Sequence, residues 1–300
     1  MVSRPWAAAM TLDLPQKPTR THREENFPVA SLLLAPEHRA VILAFYHFAR
    51  GADDVADNPT LSPEAKLAGL DQFEMTLKGQ TDVIEAALPL RTALAFRKLP
   101  SRHALDLLKA FRQDVIKSRY ADWAELMNYC AYSAAPVGRF VLDVHGENES
   151  AWPASDALCN ALQVINHLQD CGADYRNLDR IYIPQDVLDA YNLTHQAFGE
   201  TKASLTLRMA LRSIAERNAQ LVIKGATLPA QIRNGRLCFE TAIITQLARK
   251  LNKLLHDHDP LSEKVHLSTV EVGLSSIRGM IGGLMTLLRP NFVVSARGRE

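Results

Sequence analysis

Cysteine is scarce. The four in 300 residues, Cys130, Cys159, Cys171 and Cys238, form no CxxC and no paired zinc spacing. A disulfide framework and a zinc module are thereby excluded, and small buried thiols in a reducing compartment are expected. Excess charge of either sign is absent: the formal net charge is +1, so no basic field calls for nucleic acid. Aromatic residues are 7% of the chain and scattered, which supplies no base-stacking surface. No run approaches the ~20 apolar residues of a membrane span; the longest, 41–49 and 280–288, are short or interrupted. Residues 1–20 hold three prolines and no continuous apolar stretch, so a secretory signal is not expected. A fixed-period repeat is absent too. The glycine cluster Gly279–Gly283 lacks the lysine and preceding strand of a phosphate loop and is read as allowing close helix packing. A cytoplasmic protein is expected; peripheral contact at the inner face of the membrane and a homodimer are both compatible with the sequence.

What is present is helical periodicity, nearly unbroken from Pro28 onward, with 47% hydrophobic residues to build a core. Pro36 opens a helix running to Asp57, stopped by Asn58-Pro59. Ser62-Pro63-Glu64 starts another with a cap, a proline and an acid. Ser101 is expected to cap a helix through Lys117, and Asp122 one that carries Tyr129. Ala135-Pro136 restarts the chain toward His145, and a further helix spans Pro153 to Gly172. The segment 179–184 reads as a loop or brief extended piece. Long helices follow over roughly 202–225, 236–256 and 268–288. The expectation is an all-α, single-domain, many-helix fold around a central cavity over 26–290, with a flexible lead-in over 1–25 and a tail over 291–300.

Two acidic clusters stand out, Arg50-Gly51-Ala52-Asp53-Asp54-Val55-Ala56-Asp57 and Gln169-Asp170-Cys171-Gly172-Ala173-Asp174. Each contains Asp-x-x-x-Asp, which places two carboxylates one above the other on a helix. At ~100° per residue, Tyr46, Arg50, Asp53 and Asp57 fall within roughly 60° of arc, and Gln163, Asn166, Asp170 and Asp174 within roughly 80°. Asp54 lies about 100° from Asp53 and is read as a flank residue. Periodicity leaves two readings open: solvated outer faces, or the walls of an internal cavity. The apolar neighbours Phe45 and Phe48 on one helix, and Leu162, Val164, Ile165 and Leu168 on the other, favour the cavity. Opposed carboxylates in such a cavity suit Mg²⁺ carrying a phosphate group, and a metal and arginines assist departure of a diphosphate.

Other polar clusters carry less. His256-Asp257-His258-Asp259 alternates by two, so its members do not share a helix face; a solvated helix-end turn is expected. His167 is placed beside the Asp170 stripe and assigned to packing or the surface. Lys17, Arg20 and Arg23 read as a basic lead-in, and Cys171 as a bystander thiol.

The segment Ala44-Phe45-Tyr46-x-Phe48-Ala49-Arg50-x-Ala52-Asp53-Asp54-Val55-Ala56-Asp57 resembles the first signature of the squalene/phytoene synthases. Gln163-x-x-Asn166-x-Leu168-Gln169-Asp170-x-x-x-Asp174, followed by Arg180-Ile181-Tyr182-Ile183-Pro184, resembles the second. Tyr129-Cys130-x-x-Ser133-x-x-Pro136-Val137-Gly138-Arg139 is similar to the tyrosine-helix signature between them. The flanks Glu25–Val29, Leu228-Pro229-x-x-Ile232-Arg233 and Asp259-Pro260-Leu261 are similar to the bacterial branch that forms hydroxysqualene for hopanoid biosynthesis. The resemblance implies an isoprenoid synthase fold and a prenyl diphosphate substrate. Implied further are Mg²⁺ on Asp53, Asp57, Asp170 and Asp174, diphosphate contacts from Arg50, Arg180 and Asn166, and Tyr46, Tyr129 and Gln163 around the reacting carbons. The implied reaction is ionisation of presqualene diphosphate with water capture, for which NADPH is not expected, and hand-off to other hopanoid-pathway enzymes is compatible with it. The alternatives are head-to-head condensation of two farnesyl or geranylgeranyl diphosphates to presqualene diphosphate, squalene or phytoene, and, in another class, a non-catalytic scaffold of the same fold. Retention of all four aspartates with Arg50 and Asn166 argues against the scaffold.

Overall fold

The structure, a computed structural model, describes residues 35–288. The expected lead-in, the Glu25–Val29 flank, Lys17, Arg20, Arg23 and the tail over 291–300 lie outside the described residues. Among the described residues there are eleven α-helices: α1 (Pro36–Ala56), α2 (Pro63–Leu77), α3 (Leu88–Arg97), α4 (Arg102–Ile116), α5 (Trp123–Ser133), α6 (Ala135–Val144), α7 (Trp152–Leu178), α8 (Gln185–Ala190), α9 (Leu205–Gly225), α10 (Gly235–Asp257) and α11 (Thr269–Leu287).

Local chemistry explains most boundaries. Pro36 sits in the first turn of α1, where its missing N–H costs nothing. Ser62 accepts from the Ala65 N–H to start α2, and Asp122 accepts from the Glu125 N–H to start α5. Ser268 and Glu271 close a reciprocal capping box at the head of α11. Two expectations need correction. Ser101 precedes α4 as foreseen, but its hydroxyl caps nothing. The site helix α7 does not end at Gly172. It continues to Leu178 and stops at Asp179, which takes the left-handed conformation (φ 48°, ψ 41°) that ends helices.

Helix α7 runs through the middle of the molecule, packed by α5, α6, α9 and α10, while α1 packs on α2, α3, α4 and α6. α6 thus holds α1 and α7 in one frame. Phe45 stacks on Phe140 of α6, their centroids 4.0 Å apart. Phe48 is fully buried edge-on to Phe73 of α2; burial of one such side chain stabilises by about 1.5–3 kcal/mol. These apolar faces leave α1 one direction in which to point Arg50, Asp53 and Asp57.

The segment after α7 is extended, as expected, and is tied to the α4–α5 linker. Ile181 N–H donates to the Ser118 carbonyl (2.9 Å) and Gln185 N–H to the Tyr120 carbonyl (2.8 Å). This splice fixes Arg180 and Tyr182 against the end of α4.

Helix α11 lies on α10 through small residues. A Cβ on Gly279 would stand 2.5 Å from Ile243 Cα, and one on Gly283 would stand 2.7 Å from Phe239 Cδ1. The glycine cluster therefore does what its composition suggested.

Candidate active site

A cavity of about 270 Å³ opens between α1, α4, α5, α7 and the extended segment. Arg50, Asp53 and Asp57 line it from α1. Gln163, Asn166, Asp170 and Asp174 line it from α7, Tyr129 from α5, and Arg180 and Tyr182 from the extended segment. Nine of the ten residues singled out in the sequence thus reach one compartment. Tyr46 is the exception: it is half-buried, one turn before Arg50, and is not among the lining residues.

Two lining residues were misjudged or missed. Asp114, at the end of α4, lies at the centre of the polar network. It accepts from Tyr129 Oη at Oδ2 (2.7 Å) and from Tyr182 Oη at Oδ1 (3.0 Å). Its carbonyl accepts from Arg180 Nη2 (3.2 Å). A signal existed: Asp114 follows Leu107 and Phe111 at helical spacing, an acid on a face that is otherwise apolar. His167 is neither on the surface nor simply core. It is 6% exposed, lines the cavity and stacks on Tyr182 at 3.6 Å with 17° between planes. At 100° per residue it falls about 40° from Gln163 and 20° from Asp174, so it belongs to the α7 stripe. A third correction lies elsewhere. Asp259, read as part of a solvated turn, is buried and accepts from the Ala203 and Leu261 N–H groups and from Ser262 Oγ. Its neighbours His256 and His258 are paired at the surface with Asp257 and Glu263, as expected of a solvated helix end.

Ion pairs order the cations. Arg50 contacts Asp53 Oδ2 at 2.9 Å and Asp54 Oδ1 at 3.0 Å; Asp54 is buried beneath the site and anchors the guanidinium. Arg180 Nη2 lies 3.0 Å from Asp57 Oδ1, at an angle that leaves this oxygen without a hydrogen bond. Arg180 Nη1 also donates to Tyr182 Oη (3.2 Å). Beyond the left-handed turn at Asp179, Arg180 reaches the cavity.

The charge does not balance. Five carboxylates, Asp53, Asp57, Asp114, Asp170 and Asp174, share the walls with Arg50 and Arg180. Burial and then the Asp170 charge push Asp174 up to about 7. Burial pushes Asp114 up to about 6 against the pull of Arg180. Asp53 is raised well above the carboxylate range by enclosure and by Asp57, although its side chain is 31% exposed to the cavity. Burial first, and then the neighbouring carboxylates, make these groups resist ionisation; a cation placed between them would favour their charged forms. Among the described residues no three His, Cys, Asp or Glu side chains converge tightly enough to hold a metal by themselves.

The same imbalance sets a pH dependence. A carboxyl raised in the folded state carries stability that is full below its unfolded value near 3.8 and lost as pH rises through the folded value. Metal-free protein is therefore expected to lose about 5 °C or more in melting temperature between pH 5 and pH 8. The Asp174→Asn variant should show a flatter profile. A wild-type melting temperature independent of pH over that window would show that the carboxylates carry no such strain.

A family model of the squalene/phytoene synthases matches residues 20–271. The chain belongs to the squalene/phytoene synthase family, and it is an enzyme of that class with the all-α isoprenoid synthase fold. It is 52% identical to the hydroxysqualene synthase of Sinorhizobium fredii, over 86% of this chain and 89% of the relative. It is 51% identical to that of Rhodopseudomonas palustris, over 87% of this chain and 89% of the relative. The crystal structure of squalene synthase HpnC from Alicyclobacillus acidocaldarius superposes with a TM-score of 0.67 at 30% identity, covering 79% of this chain and 90% of that one. Among the described residues no helix is long and apolar enough to cross a membrane.

Proposed function

We propose that the protein ionises presqualene diphosphate and captures the resulting cation with water, releasing hydroxysqualene and diphosphate. The observation that carries the reading is the convergence of two Asp-x-x-x-Asp faces, from α1 and α7, on one cavity with two arginines. Relatives about half identical over most of this chain bear the name hydroxysqualene synthase, which supports water capture over condensation.

The cavity is smaller than the roughly 300–1,000 Å³ of pockets that enclose drug-sized ligands. It is therefore matched to the diphosphate end of the substrate, with the C30 chain accommodated elsewhere. Asp53 and Asp57 on one side, and Asp170 and Asp174 on the other, would hold Mg²⁺. When bound, the metal neutralises the leaving diphosphate and so lowers the barrier to carbon–oxygen cleavage. Arg50, braced by Asp54, and Arg180, braced by Tyr182 and the end of α4, would present guanidinium groups to the same anion. Asn166 would add an amide, and Gln163 and Tyr129 would border the reacting carbons. Tyr129 and Tyr182 stay protonated, their ionisation driven well up by burial and by Asp114, so their rings add no negative charge beside a cation.

The test is incubation of purified protein with presqualene diphosphate and Mg²⁺. Diphosphate and a C30 alcohol are expected without NADPH. Failure to release any diphosphate overturns the reading, and a C30 product from farnesyl diphosphate alone shifts it to condensation.

A further inference from the structure

The α7 stripe contains one group to which the leaving-group chemistry gives no task. His167 is enclosed, lines the cavity, and its Nε2 has no hydrogen-bond partner. A buried polar atom without a partner costs about 1–3 kcal/mol, so an imidazole used only for packing is a poor choice over Leu or Phe. The ring is held rigidly, stacked on Tyr182 at 3.6 Å and 6.0 Å from the Tyr129 ring. Both tyrosine hydroxyls are committed to Asp114. Nε2 is thus a basic atom of this aromatic wall that no protein group engages.

Resting on the reading above, we propose that His167 Nε2 is the base for water capture. It accepts a hydrogen bond from the water that attacks the carbocation. The water oxygen lone pair forms the new carbon–oxygen bond, and one water proton passes to Nε2, leaving a neutral alcohol and an imidazolium. The imidazolium returns its proton to the released diphosphate. Each requirement is met by the surroundings. Burial and the nearby Arg180 charge keep the imidazole neutral beforehand, pushed down to about 3. A neutral ring does not repel the cation, and a protonated alcohol is acidic enough to give its proton to a weak base. Without Nε2 to take the water proton, the released diphosphate takes a carbon-bound proton from the cation instead, leaving an alkene and so a C30 hydrocarbon.

The experiment measures the ratio of C30 alcohol to C30 hydrocarbon made from presqualene diphosphate and Mg²⁺ by full-length wild type, His167→Leu and His167→Gln. Because the ratio is taken among products, it is independent of how fast diphosphate leaves. His167→Leu, similar in bulk and without a base, should lower the ratio by about tenfold or more. His167→Gln, which can hold a water and cannot take its proton, should also lower it, by a smaller factor. If His167→Leu proves unfolded by circular dichroism, His167→Gln decides alone. A wild-type ratio in either folded variant overturns the proposal, even if turnover has dropped, because a packing role would slow the enzyme without redirecting its product. Wild type that releases no diphosphate overturns instead the assigned reaction.

Discussion

Asp53→Ala and Asp170→Ala are each expected to lower diphosphate release by about 1,000-fold or more while leaving the helical fold intact. The two carboxylates stand on opposite walls of one cavity, one on α1 and one on α7, so each loss would remove charge from a different side of the proposed metal–diphosphate cluster. Both reach into the cavity instead of the apolar core. The loss of Asp53 also leaves Arg50 paired with Asp54 at 3.0 Å, so no cation is stranded. Because Asp53 is held above its ordinary range by burial and by Asp57, removing it relieves repulsion, and the metal-free variant should melt no lower than wild type. Diphosphate release and thermal melting of the same samples provide the check. Wild-type turnover in both variants would refute the metal assignment.

Asp114→Ala is expected to act on stability, lowering it by about 3 kcal/mol or more. The substitution takes the acceptor from two buried tyrosine hydroxyls and a counter-charge from the enclosed Arg180. Asp114→Asn keeps one side-chain oxygen and an amide that can donate to a tyrosine oxygen, and it removes repulsion with Asp57. It should cost less than half as much. Denaturant unfolding of the two variants separates the contributions. Equal losses would show that the charge matters and the hydrogen bonds do not.

Much of the framework could be read from local chemistry. The caps at Ser62 and Asp122 and the prolines opening α1 and α6 each act within a few residues. The aspartate faces were legible because helix geometry relates positions four apart without any knowledge of neighbours. Asp114 was not, because its meaning arises from Tyr129, Tyr182 and Arg180, which the chain brings to it from elsewhere. His167 was visible on the same wheel that revealed Asp170 and was set aside as lying beside the stripe, in packing or at the surface. Gly172 looked like a stop, yet a glycine ends a helix only when it turns left-handed, and here Asp179 does so. Asp259 was hidden for a related reason: its partner Ala203 lies 56 residues away.

The unbroken course of α7 has one more consequence. From Gln163 to Asp174 the backbone climbs about 1.5 Å per residue, roughly 16 Å in all, with no kink-forming proline in between. The helix is a graduated ruler. On the proposed reading, Gln163 at one end of the scale would face the reacting carbons and Asp170 and Asp174 at the other the leaving group. A single residue inserted between Asn166 and Asp170 would rotate the aspartates by about 100° and carry them off the wall. The distance between the Gln163 and Asp174 levels of the cavity wall is thus a count of residues, which substitution can decorate and only insertion or deletion can change.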